Sequence, residues 1–195
     1  MRNNFKGIVL AAGFGTRLGR PKATVECLGS PLIERAAQTL TDAGCNGVVA
    51  VVGPTQKYWH FNRQLFEKIV ENPKPEQGQG SSVFLGAIEA GETFRLVVLP
   101  VDNAMVSVEM VKSLIDIYPG TGTIVKPAYK DRGGHPMIIA NALVLTHREM
   151  LLSKGLRALQ HLPGNRVLRM ETADQYCVRD IDHLDDYFEI CGSGA

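Results

Sequence analysis

Short β-branched apolar runs alternate along the chain with segments whose apolar residues recur every three or four positions. The runs are "GIVLAA" (7–12), "GVVAVVG" (47–53), "RLVVLPV" (95–101), "GTIVKP" (122–127) and "PMIIA" (136–140). The first three have no polar alternation, which is the pattern of central strands covered on both faces. Between the first two, "PLIERAAQTLTDAG" sets Leu32, Ile33, Ala36, Ala37 and Leu40 on one helical face. Pro31 opens that helix and Gly44 closes it. "SVEMVKSLIDIY" repeats the pattern with Met110, Val111, Leu114, Ile115 and Tyr118, and Ser107 is placed as its N-cap.

Strands alternating with helices predict an α/β protein: a single-domain, Rossmann-like three-layer fold with a mostly parallel central sheet and right-handed crossovers. Ligands in such sheets gather beyond the carboxyl ends of the strands. That rule points to the loop after "GIVLAA" and the loop after "RLVVLPV". The most loop-like internal stretch is "ENPKPEQGQGSS" (71–82), with two prolines and two glycines.

Length and charge narrow the reading. The 195 residues predict one domain over 1–195, with a frayed tail at about 191–195. Lys plus Arg number 21 against 20 Asp plus Glu, a net charge of +1, so no bulk field favours nucleic acid or a membrane surface. No apolar run nears the roughly 20 residues of a membrane span. The four cysteines, Cys27, Cys45, Cys177 and Cys191, show no CxxC or Cys/His metal spacing. They are expected as reduced, structural thiols in a cytoplasmic protein.

The chemistry starts at "LAAGFGTRLGRPKA" (10–23). Gly13 and Gly15 give G-x-G, but Gly19 falls one residue late for the dinucleotide fingerprint. Arg20 after Gly19 rules out a Walker loop. The second apolar run ends in Gly-Pro, without the acidic residue that binds a ribose, which disfavours a NAD-dependent oxidoreductase. What survives is a turn of small residues whose backbone N–H groups can approach a flat ring or a phosphate chain. Arg17 and Lys22 supply the matching charge just beyond it, one as a fork and one as a point charge.

This stretch closely resembles the L-A-(A/G)-G-x-(G/S)-x-R-x-G-x-x-K signature of the MobA-like nucleotidyltransferase superfamily. Its L-A-A-G and P-K elements are similar to those of molybdenum cofactor (molybdopterin) cytidylyltransferases. Further matches are collinear: "NPKPEQGQGSSVFLGAIEA" (72–90), "LPVDNAMVS" (99–107), "RGGHPMII" (132–139), "KGLRALQ" (154–160) and "RDIDHLDDY" (179–187). Asn103-Ala104 stands where the superfamily carries x-Pro, and His183-Leu184 where it carries Thr-Pro.

The resemblance implies the fold of the nucleotide-diphospho-sugar transferases and a Mg²⁺-dependent transfer of a nucleoside monophosphate to an acceptor phosphate, with release of pyrophosphate. Mn²⁺ is the alternative metal. Leu10, Ala11, Ala12, Gly13, Gly15, Lys22, Asn72, Gly80, Ser81 and Ser82 are then expected around the nucleotide, and Gly134, His135 and Pro136 on the acceptor side. Arg17, Lys22 and Asp102 carry the chemistry. Asp102 and Asp182 are expected as metal ligands, with Asp180 in reserve; Asp180 and Asp182, two apart, would share one side of an extended strand. The expected partners are a nucleoside triphosphate, CTP favoured, and a small phosphorylated acceptor, with room for contact to a molybdoenzyme or chaperone. Alternatives are another organic or sugar phosphate, GTP as donor, and a nucleotide-binding module without turnover.

Overall fold

The computed structural model describes residues 4–54, 59–120 and 122–192. In chain order its strands are β1 (Phe5–Ala11), β2 (Glu26–Cys27), β3 (Ser30–Pro31), β4 (Val48–Val52), β5 (Lys68–Glu71), β6 (Arg95–Pro100), β7 (Thr123–Tyr129), β8 (Arg132–Gly133), β9 (Met137–Ala140) and β10 (Arg166–Glu171). The helices are α1 (Leu32–Asp42), α2 (Gln79–Ala90), α3 (Val108–Asp116), α4 (Asn141–Thr146), α5 (Arg148–Lys154) and α6 (Leu184–Cys191).

The main sheet runs β10-β7-β9-β6-β1-β4-β5, with β8 paired to β7 outside that path. The pairs β1–β4, β1–β6, β4–β5 and β7–β10 are parallel; β9 lies antiparallel to β6 and β7. The fold is thus the mostly parallel α/β sheet that the alternating pattern predicts. All seven residues of β1 are buried. Its alternation divides them between two cores: Phe5, Val9 and Ala11 face the layer of α1 and α3, whereas Ile8 and Leu10 face that of α2, α4 and α5.

Two expectations need correction. The 71–82 stretch is not a continuous loop, because α2 begins at Gln79 and buries Gly80, Ser81 and Ser82. The cysteines are not all reduced: Cys27 and Cys191 form a disulfide that joins β2 to the end of α6, while Cys45 and Cys177 stay free and buried. Cys191 is accordingly fixed rather than frayed; residues 193–195 of the expected frayed tail lie outside the described residues. No described helix is long and apolar enough to cross a membrane.

Close packing of α2 on β1 depends on Gly86, where an added Cβ would stand 2.8 Å from Ile8 Cγ2. Overpacking costs about 1–3 kcal/mol, and the better helix propensity of alanine returns up to about 1 kcal/mol. Gly86→Ala should therefore lower the urea midpoint, with a net loss of about 1–2 kcal/mol. An unchanged or higher midpoint would mean that the overpacking cost does not exceed the gain in helix propensity.

Candidate active site

The glycine loop leaves β1 and turns back on itself. Gly15 has φ 61°, and an added Cβ would sit 2.1 Å from the Arg20 carbonyl oxygen, so only glycine permits this turn. Leu18, Ala23 and Val25 anchor the following segment in the core. Lys22 is thereby held at the carboxyl edge of the sheet, beside the end of β6.

There the chain enters a single 3-10 turn, Val101–Asn103, with Val101 and Asn103 buried and Asp102 turned toward the cleft. Asn103 Nδ2 donates to the Arg179 carbonyl at 3.2 Å and to Asp180 Oδ1 at 2.7 Å. The Ile181 amide donates to the Asp102 carbonyl at 3.1 Å, and the Ile181 side chain is fully buried. These contacts lay the 179–182 segment along the turn. Asp186 Oδ2 then accepts from the amides of Asp182 (3.1 Å) and His183 (2.8 Å), which fixes the Asp182 backbone at the start of α6.

Three segments distant in sequence meet at one ammonium. Lys22 Nζ donates to Asp102 Oδ2 at 2.9 Å and also to Asp182 Oδ1. Arg17 Nη1 lies 3.4 Å from Asp182 Oδ2, its side chain mostly exposed. Burial acts to lower the Lys22 pKa, but Asp102 and Asp182 outweigh it and raise the ammonium above its ordinary value. The Lys22 hydrogen bond holds the Asp182 carboxyl below the usual range, against the opposing effect of burial. Asp180 moves the other way: burial raises it, with Asn103 opposing.

The cleft around this cluster has a volume of about 360 Å³. Of the expected nucleotide residues, Leu10, Ala12, Gly13, Gly15, Lys22 and Ser82 line it, as do Arg17, Asp102 and Asp182. Ala11, Asn72, Gly80 and Ser81 do not. Asn72 is buried and donates from Nδ2 to Ser81 Oγ (2.8 Å) and Ser82 Oγ (2.9 Å), so it ties the turn after β5 to the first turn of α2. Gly80 allows close approach of α5: an added Cβ would be 2.1 Å from the Leu151 carbonyl oxygen.

Asp180 and Asp182 share neither a strand nor a partner. The segment is irregular, and Asp180 bonds Asn103 while Asp182 bonds Lys22. Gly134 and His135 line a neighbouring cavity of about 300 Å³ instead, and the buried Pro136 does not line it. Gln79, at the start of α2, borders both cavities.

Sequence reasoning missed Gln79, Pro75 and Gly78 on the cleft wall, and the positioning roles of Asn103 and Asp186. Only Asp186 carried a usable signal, since His183 and Asp186 have the spacing of a capping box, which α6 indeed forms.

The donor set suits a hard divalent cation. Among the described residues no three His, Cys, Asp or Glu side chains form a ready cage. Asp102 and Asp182 instead converge on one ammonium in an open cleft. Mg²⁺ is commonly bound by one or two carboxylates, with substrate phosphates and water completing its shell.

Known proteins share the family and the fold. The model of the MobA-like NTP transferase domain matches residues 7–170, which takes in most of the sheet and leaves Asp182 outside the match. The chain belongs to that family. It is a nucleotidyltransferase, and a nucleoside triphosphate and a phosphorylated acceptor are the substrates typical of such enzymes. It is 37% identical to nicotine blue oxidoreductase of Paenarthrobacter nicotinovorans over 68% of this chain and 69% of that one. It is 29% identical to a molybdenum cofactor guanylyltransferase of Xanthomonas euvesicatoria over 83% and 80%. In fold it is similar to Rv0371c of Mycobacterium tuberculosis, solved as a manganese complex, with a TM-score of 0.73 and 21% identity over 98% of this chain and 100% of that one.

His135 generates a pH prediction. Burial pushes its pKa down from 6.5 to about 4, with Arg157 and Lys126 adding to the depression and Asp102 opposing it. A lowered folded pKa means that the unfolded chain binds the proton first as pH falls. Its contribution is therefore intact above pH 6.5 and lost as pH falls toward about 4. The shift corresponds to about 3 kcal/mol. Between those pH values the wild type should lose about that much more stability than His135→Gln in denaturant titrations. Parallel pH profiles would refute the burial of a neutral ring.

Proposed function

We propose that the chain is a Mg²⁺-dependent cytidylyltransferase that moves CMP from CTP to the phosphate of a molybdopterin-type cofactor and releases pyrophosphate, in the cytoplasm. The observation that carries this reading is the meeting of Arg17, Lys22, Asp102 and Asp182 in the cleft that Ala12, Gly13 and Gly15 also line.

In this reading Leu10 and Ala12 lie against the base, and the Gly13–Gly15 amides face the phosphates. Ser82 closes the cleft from the first turn of α2, and the amide end of α2 faces the same space and favours anions there. Arg17 and Lys22 hold the triphosphate and stabilise charge on the departing pyrophosphate. The acceptor oxygen forms its bond to the α-phosphorus as the bond to the β-phosphate bridge breaks; Gly134 and His135 border its approach. Asp102 and Asp182 would hold Mg²⁺, which supplies charge neutralisation and orientation of the phosphates. Lys22 must release these carboxylates when metal and nucleotide arrive together, and its ammonium then passes to phosphate oxygens. Manganese in the Rv0371c complex supports a divalent metal on this scaffold.

The choice of CTP rests on Ala12, whose side chain is buried beside the loop. Its methyl group restricts a purine's larger outline more than a pyrimidine's. One such group discriminates by about 1–3 kcal/mol, or 10- to 200-fold.

A second reading keeps the cleft and changes the chemistry, because one relative 37% identical is named an oxidoreductase. It requires a redox turnover that releases no pyrophosphate.

The experiment is pyrophosphate release from CTP and GTP in competition, with Mg²⁺ and molybdenum cofactor. CTP should prevail in kcat/KM by about 10- to 200-fold, and Ala12→Gly should narrow the gap. A preference for GTP would refute the steric argument. Lys22→Ala, Asp102→Ala and Asp182→Asn should each lower turnover by about 10²-fold, whereas Asp180→Asn should not raise the Mg²⁺ requirement as Asp182→Asn does. Near wild-type turnover in any of the first three would remove that residue from the mechanism.

A further inference from the structure

The cavity beside His135 has a chemistry of its own. Lys126 sits in the middle of β7 with its residue 9% exposed, on the face that also carries Ile124. Its stem lies over Gly133, where an added Cβ would be 2.8 Å from Lys126 Cε. Among the described residues, its ammonium forms a hydrogen bond only to Gln160 Oε1, at 3.0 Å. Because that oxygen accepts from an ammonium, the other end of the Gln160 amide must be the NH₂. This Nε2 is buried without a partner, and so is His135 Nδ1.

More positive charge surrounds the same point. Arg157 lines the cavity, and Arg169 stands next to Lys126 in the β7–β10 register. No carboxylate among the described residues forms an ion pair with Lys126, Arg157 or Arg169. Burial and the two arginines lower the Lys126 pKa. Arg157 and Arg169 are exposed, but Lys126 is buried beside a bare amide donor with no carboxylate among the described residues paired to it.

We propose that this cavity is a phosphate-binding site for the acceptor, with Lys126, Arg157 and the Gln160 amide as its donors. The proposal rests on the nucleotidyltransferase reading and adds where the acceptor is held and by which charge class. Gln79 borders both cavities, so a phosphate held here faces the nucleotide cleft across Gln79 with its attacking oxygen, and the rest of the acceptor lies away from the nucleotide. Two cations and a neutral donor match a phosphate dianion better than a monoanionic carboxylate. Acceptors without a phosphate should therefore bind poorly.

Inorganic phosphate is the probe, titrated by calorimetry into the full chain already saturated with Mg²⁺ and CTP. Phosphate should bind one site per chain. Lys126→Met and Arg157→Gln should weaken it at least 10-fold, with CTP affinity unchanged within twofold and Lys126→Arg retaining binding. Lys126→Met should melt no lower than wild type, because it removes an unpaired buried cation and keeps the apolar stem; a lower melting point would make Lys126 structural and overturn the site. Equal phosphate affinity in the variants, or equally tight binding of acetate, would also overturn it. If CTP failed to bind while phosphate bound and the variants lost it, the anion site would stand and the nucleotidyl reading would fall.

Discussion

One ammonium shared between two carboxylates organises the functional edge of this molecule. Lys22 comes from the loop after the first strand, Asp102 from the turn after the third parallel run, and Asp182 from the segment that leads into the last helix. None of the three could be placed by its own segment alone. A charge pair at 4 Å is worth about 4 kcal/mol at an effective dielectric of 20, before desolvation is subtracted. With side chains 15%, 27% and 33% exposed, the net gain is smaller. The cluster therefore acts as a constraint on geometry more than as a source of stability. It holds two carboxylates against one ammonium, which offsets their mutual repulsion, and the same two carboxylates would be the ones to hold a divalent cation.

The surrounding structure serves that constraint. Asn103 and Asp186 are positioning residues: the first binds the 179–180 segment to the Asp102 turn, and the second holds the Asp182 amide. The disulfide between Cys27 and Cys191 ties the far end of the same helix to the β2–β3 hairpin. Across Gln79, the second cavity collects Lys126, Arg157 and a bare Gln160 amide, so a cluster without a paired carboxylate adjoins the cleft in which Lys22 is paired with Asp102 and Asp182. That continuity suits two anionic reactants brought together for an in-line transfer.

Much of this was legible in the sequence because it depends on local pattern. Uninterrupted runs such as "GIVLAA" identified central strands, since burial on both faces removes the polar alternation. Glycine spacing and the following cations located the loop that lines the cleft around Lys22. Asn72 and Gly80 were misplaced for a physical reason: a buried amide that braces two serines and a glycine that admits a neighbouring helix look, in sequence, like ligand-facing loop residues. The Cys27–Cys191 pairing, 164 residues apart, and the Lys126–Arg157–Gln160 cluster arise only from tertiary packing. No spacing rule along the chain reveals them.

The central claim is that Asp102 and Asp182 bind a metal–nucleotide complex at the position that Lys22 occupies alone. Anomalous diffraction from crystals grown with Mn²⁺ and a non-hydrolysable CTP analogue tests it directly. The account predicts a manganese peak bridging Asp102 and Asp182, with the Lys22 ammonium moved onto a phosphate oxygen and the base against Leu10 and Ala12. A peak elsewhere, or a nucleotide bound with Lys22 still between the two carboxylates, would contradict it.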